Sequence, residues 1–423
     1  MRPASPARIA VVGGSIAGCA CAIAAARAGQ HAVVFERTSS DLADRGLGIA
    51  IPPHLLDDLV SAGYVDDRLP VCRSRERVWV LREDGAGRGS GGGRAGRELW
   101  RQPSPIITCN WGLLWRALRD RVPDADYRGG EPVTGIRCGP AGATVVTPHG
   151  EASFDAVVGA DGYRSIVRPL VAPGEAATYA GYALWRASVP VPRLPNGDRV
   201  AALLEHAYYT VVFPGGHAIV YTIPAAQPWP GQPPALLVNW ALYARPPESV
   251  RCDDGLAFPP GAADGVLAEH ARGLADRYFP ELWAEVVHRS DPSVLAVQPV
   301  VDLGLSRYQR APFVVAGDAA AITRPHTASG AVKALQDARC LERVLRETAN
   351  LPDALPDALR GYDDSRCEAG NRLVALGRRI GRDQVEHTPA WAEMNADRMD
   401  AWTRRTLDGQ HHYLYGNTPA GSR

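Results

Sequence analysis

The chain has 423 residues, 46 basic against 46 acidic side chains and a formal net charge of +0, a balance that excludes a strong electrostatic footprint for nucleic acid or an acidic membrane. Its length accommodates two or more structural units, since domains run to about 100–200 residues each. Cys19, Cys21, Cys72, Cys109, Cys138, Cys252, Cys340 and Cys367 form no C-x-x-C pair and no metal-ligand spacing, so they read as reduced thiols and no metal site is expected.

In chain order, 9–12 and 32–35 are short apolar, partly β-branched runs, and 16–28 is long and alanine-rich enough for the helix between them. This is a βαβ unit. Strand-like pieces at 78–81 and 98–100 flank "REDGAGRGSGGGRAGR", whose glycines cannot pack a core, so 84–97 is expected to be a mobile hairpin tip. A helix over 111–121 and short strands over 133–138 and 143–147 follow. From 178 to 243, β-rich segments broken by Pro and Gly predict a largely antiparallel sheet. Helical patterning returns over 263–278, an apolar strand over 313–316 leads back to the first unit, and amphipathic helices begin near 355 and end in a polar terminus.

The expected fold is therefore α/β. A discontinuous Rossmann-like dinucleotide domain takes 1–75, 98–175 and 290–345; an inserted, largely antiparallel β-sheet domain takes 76–97 and 176–289; and a C-terminal helical segment takes 346–423. No run of about 18 apolar residues occurs, and the N-terminal stretch is broken at Gly13 and Gly14. A soluble, cytoplasmic monomer or homodimer with no nucleic-acid or membrane partner is expected. Lys333 is the only lysine, a bias that reads as GC-rich coding.

Three motifs carry the chemistry. Gly13, Ser15 and Gly18 occupy the glycine positions of G-x-G-x-x-G, and a helix starting at Ile16 and Ala17 offers free N–H groups to a pyrophosphate. Glu36, at the end of the second strand, is placed to bind ribose hydroxyls. The others are "VVGADGYRSIVR" over 157–168 and "FVVAGDAAAITRPHTASGAVKALQDA" over 313–338.

With these motifs in this order the sequence resembles the FAD-dependent aromatic hydroxylases of the p-hydroxybenzoate hydroxylase type. The resemblance implies FAD as cofactor and NAD(P)H as transient co-substrate. It implies that Gly13 to Gly18 and Glu36 bind the adenosine diphosphate half, that Asp161 and Gly162 lie near the pyrophosphate, and that Asp318, after Gly317, binds the ribityl chain. Gly48 joins the cofactor-binding set. The chain departs from the family pattern at Trp111, where a phosphate-binding arginine is frequent, with Arg37 or Arg45 as substitutes, and at Ala321 and Ala328, where histidine and glycine are frequent.

Pro325 precedes a helix expected to begin near Ser329, so the N–H groups of Ala328, Ser329, Gly330 and Ala331 face the flavin and favour the anionic reduced ring. The family implies that reduced flavin and O2 give a C4a-hydroperoxide that attacks an electron-rich ring. Trp185, Tyr209, Phe213, Tyr221 and Trp240 in the second domain are expected to line the pocket for this small aromatic substrate. His326, beside Pro325, is the expected catalytic base, with His206 and His217 as other candidates. An epoxidase, oxidase or reductase on the same fold is an alternative, as is a flavin-binding regulator without turnover; the halogenase pattern W-x-W-x-I-P is absent.

Overall fold

The computed structural model describes residues 6–43, 47–83, 94–139, 142–226, 235–252, 257–259, 265–348, 351 and 353–407. The βαβ start is present as β1 (Arg8–Val12), α1 (Ile16–Arg27) and β2 (His31–Glu36). β1 is buried from Ile9 to Val12 because it lies in the middle of a sheet, between β2 and Ala156–Gly159, parallel to both. Phe313–Val315 pairs with the far side of Ala156–Gly159, again parallel. Two segments whose paired residues are 156 apart in sequence thereby close one sheet around the nucleotide turn. α1 is buried along most of its length, which is why its residues are small. It packs against the 18-residue helix α2 (Gly330–Glu347).

A second, eight-stranded sheet runs in the order Ala296–Asp302, Thr178–Pro190, Leu236–Ala244, Gly216–Pro224, Ala207–Phe213, Cys72–Leu81, Arg97–Asn110, Gly48–Ile51. It is antiparallel except where Ala207–Phe213 meets Cys72–Leu81. Gly48–Ile51, most of Arg97–Asn110 and Ala296–Asp302 belong to this sheet, although the boundaries drawn from sequence place them in the nucleotide domain. Arg97–Asn110 also extends well past the short strand expected at 98–100, through Pro103 and Pro105. Gly48–Ile51 pairs only with 107–110, so these prolines face an open edge where no ladder N–H is needed.

Residues 84–93 of the expected hairpin tip lie outside the described residues. Residues 94–97 are anchored: Arg94 holds Glu281 through two hydrogen bonds, Trp283 Nε1 donates to the Ala95 carbonyl and Arg97 donates to that of Ala392. After α2 comes the 27-residue helix α3 (Leu355–Gly381). The chain then returns to the large sheet, where Trp391 and Trp402 pack on Trp79 with ring centroids at 6.4 and 5.7 Å. Among the described residues no helix is long and apolar enough to cross a membrane.

Candidate active site

A cavity of about 440 Å³ lies between the N-terminal ends of α1 and α2 and one face of the large sheet, within the size range of small-molecule sites. Ser15, Ile16 and Ala17 form one end. Gly162, Asp318, Pro325, Ala328, Ser329, Gly330 and Ala331 line it further along, with Gly48 and Trp111. Thus eleven of the expected cofactor residues meet in one space.

The turn at the head of α1 depends on two glycines. Gly13 has φ +100°, and a Cβ there would stand 2.5 Å from the Ala160 carbonyl oxygen; one on Gly18 would stand 1.8 Å from that of Gly13. Neither position admits another residue without moving backbone. Glu36 is buried, and its carboxylate accepts from the Gly14 N–H at 2.8 Å and the Thr38 N–H at 2.9 Å. A carboxylate has about four acceptor positions, so capacity remains for ribose hydroxyls. Asp161 accepts from the Ile166 N–H at 2.7 Å, while its buried Oδ1 has no hydrogen-bond partner among the described residues. Burial is the main cause that pushes its carboxyl above the usual range. A cradle of backbone at the head of α1 and the spare acceptor capacity of Glu36 fit the dinucleotide that the motifs imply.

Some expected contributors stand elsewhere. Arg37 is exposed and outside the cavity lining, and Arg45 lies outside the described residues. Gly13, Gly18, Asp161 and Gly317 shape the turns behind the wall, and neither they nor Glu36 are part of its lining. Arg168 was not singled out from sequence. It reaches the carbonyls of Tyr163 at 2.6 Å, Ala319 at 3.4 Å and Asp318 at 3.5 Å, tying the second motif to the third.

The substrate wall differs from the expectation in parity. Trp185, Tyr209, Phe213 and Trp240 are packed in the core on the opposite face of the sheet, with Trp283, Tyr278 and Phe279. Only Tyr221 of the five lines the cavity. Successive side chains of a strand face opposite sides, so the cavity receives the neighbours: Leu184 and Arg186 rather than Trp185, Tyr208 rather than Tyr209, Ala241 and Tyr243 rather than Trp240. The large aromatics mark the drier face, against helices Val266–Tyr278 and Glu281–His288. The cavity face carries the polar groups, including Arg77 and Arg186.

Gly48 is fixed from that sheet: its N–H donates to Asn239 Oδ1 at 2.9 Å, and its carbonyl accepts from Arg186 at 2.7 Å. Among the described residues, Asp318 is the only carboxylate in the lining.

His326 lines the cavity and is only 1% exposed. It sits in a tight turn, Pro325–Thr327, followed by Ala328 at φ 49°. Its Nε2 lies 2.6 Å from the Tyr182 hydroxyl, and its Nδ1 has no hydrogen-bond partner among the described residues. Tyr182 Oη in turn accepts from Arg324 at 3.4 Å, and Arg324 is held by Asp302 at 2.8 Å and Glu386 at 2.6 Å. The rings of Tyr243 and His217 pack on His326 with centroids at 4.4 and 5.2 Å.

Burial, and after it His217, pushes the His326 imidazole well below its ordinary value, so it is neutral near pH 7. His217 is buried behind it, outside the lining, and His206 is exposed, 3.8 Å from Glu205 and likewise outside the lining.

No protein-family model matches the chain. The chain is 28% identical over 360 residues to 2,6-dihydroxypyridine 3-monooxygenase of Paenarthrobacter nicotinovorans, covering 82% of this chain and 85% of that one. A solved structure of 2,6-dihydroxypyridine-3-hydroxylase from Arthrobacter nicotinovorans superposes with a TM-score of 0.74 at 22% identity, covering 93% and 97% of the two chains. HpxO of Klebsiella pneumoniae, solved with FAD and uric acid, superposes with a TM-score of 0.70 at 20% identity, covering 95% and 93%. The homologues and structural neighbours of this chain include FAD-dependent aromatic monooxygenases, whose fold it shares over nearly its whole length.

Proposed function

We propose that this protein is an FAD-dependent monooxygenase that uses NAD(P)H and O2 to hydroxylate an electron-rich aromatic or heteroaromatic ring bearing an ionisable hydroxyl. FAD, when bound, supplies hydride acceptance and dioxygen activation. Ser15 to Ala17 and Glu36 bind its adenosine diphosphate half, Asp318 its sugar chain, and the N–H groups at the head of α2 its ring. The division of labour between a cofactor-binding unit and a substrate-binding sheet belongs to the same reading, as does a cytoplasmic location.

The observation that carries the substrate assignment is His326, a buried neutral imidazole in the cavity wall with Nδ1 unpartnered among the described residues. Because Tyr182 Oη accepts from Arg324, its own hydrogen is directed to His326 Nε2. Nδ1 then carries the imidazole hydrogen and donates it to a ring oxygen. With Arg77 and Arg186 in the same wall, that oxygen is favoured as an anion, which raises electron density on the carbon to be hydroxylated. The aromatic substrates named for the relatives, a dihydroxypyridine among them, are of this chemical kind.

Replacing His326 by Ala removes one donor to a developing oxyanion, a loss of about 10²–10³-fold in comparable sites. The variant is expected to retain FAD and consume NAD(P)H, with a product-to-NAD(P)H ratio far below the parent and hydrogen peroxide released instead. An unchanged ratio contradicts the role given to His326.

A further inference from the structure

Lys333 is the one lysine of a chain with 46 basic residues, and it is fully buried. It stands in the first turn of α2, behind the cavity wall. Its Nζ donates to the Ala321 carbonyl at 2.5 Å and lies 3.3 Å from Asp318 Oδ1. The Asp318 side chain is half exposed, and it lines the cavity.

Burying an ammonium is costly unless a charge or a polar partner compensates it. A loop-fixing role alone does not call for one here, because the turn that carries Asp318 is held by other groups. Asp337, one turn further along α2, accepts from the Gly317 N–H at 2.9 Å and is paired with Arg366 at 2.6 Å. Arg168 reaches the carbonyls of Asp318 and Ala319. Lysine also differs from arginine in the way this place needs, a compact charge instead of a planar fork.

We propose that Lys333 is an electrostatic positioning residue for the flavin. Its ammonium balances Asp318 from behind, so that the carboxylate accepts hydrogen bonds from the polyhydroxyl chain of FAD without adding net negative charge beside a ring that becomes anionic on reduction. The inference rests on the FAD reading above.

The test compares K333Q, which keeps a donor for Ala321 and removes the charge, with D318N and the double variant. The readouts are the midpoint potential of the bound flavin and the FAD dissociation constant from flavin fluorescence. K333Q is expected to lower the potential and weaken FAD about tenfold, the effect of roughly 1.4 kcal/mol. D318N alone is expected to raise the potential, and K333Q/D318N to return it toward the parent value, a rescue that a purely structural lysine would not show. A parental potential in K333Q, or a double variant no nearer the parent than K333Q, overturns the inference while leaving the FAD reading intact. Should K333Q alone not fold, D318N and K333Q/D318N decide together: a potential raised in D318N and returned to the parent value in the double variant supports the inference, and a potential not raised in D318N, or a double variant as raised as D318N, overturns it. A parent chain that binds no FAD overturns both readings.

Discussion

Ala328 is the one non-glycine residue with positive φ among the described residues, at φ 49° and ψ 24°. A Cβ in the left-handed region costs about 1–2 kcal/mol, partly offset in glycine by the greater entropy lost on folding. A328G is therefore expected to raise stability by about 0.5–1 kcal/mol in chemical denaturation; a destabilised variant would show that the alanine methyl is needed for packing at the head of α2. The two buried histidines make a pH prediction of definite sign. Burial pushes His217 down to about 3 and His326 well below 6.5. Unfolded, both take up a proton near their ordinary value of 6.5; folded, they resist it. Their contribution is complete above that pH and is lost as pH falls toward the folded values. The melting temperature should fall on acidification from about pH 7 to about pH 4, and less steeply in H217F than in the parent. Equal slopes would remove His217 from this effect.

The nucleotide turn was legible because each of its residues is dictated locally: Gly13 by its φ, Gly18 by contact with Gly13, Glu36 by the end of β2. The wall of the large sheet was legible as β structure but not in phase. Thr178–Pro190, Ala207–Phe213 and Leu236–Ala244 are buried on both faces over most of their length, so size drew attention to Trp185, Tyr209, Phe213 and Trp240. Which face meets the cofactor is decided by the packing of helices Val266–Tyr278 and Glu281–His288, a long-range fact. The pairing of His326 with Tyr182, 144 residues away, and of Arg324 with Glu386 was hidden for the same reason. The parity can be checked directly. W240A empties a buried core site and should cost about 3–5 kcal/mol of stability. Y221F, on the cavity face, should leave the melting temperature nearly unchanged and alter the KM for the aromatic substrate. A reversed pattern would put the substrate on the other face of the sheet.

At the scale of the whole molecule, the site exists only where three distant parts of the chain meet. The head of α1 comes from the first residues, the sheet face from the middle, and the turn before α2 from beyond residue 313. Residues after α3 reach back to the sheet, where Trp391 Nε1 donates to the Phe213 carbonyl at 3.1 Å and Trp402 packs on Trp79. These contacts brace the large sheet from outside the cavity, whose lining runs from Ser15 to Ala334. The proposed hydroxylation is tested most directly by the mass of the product formed from NAD(P)H and an ionisable hydroxypyridine or aminophenol ring under ¹⁸O2. One ¹⁸O atom in the recovered ring is the predicted result. NAD(P)H oxidation that is indifferent to every such ring and leaves each without label would contradict it.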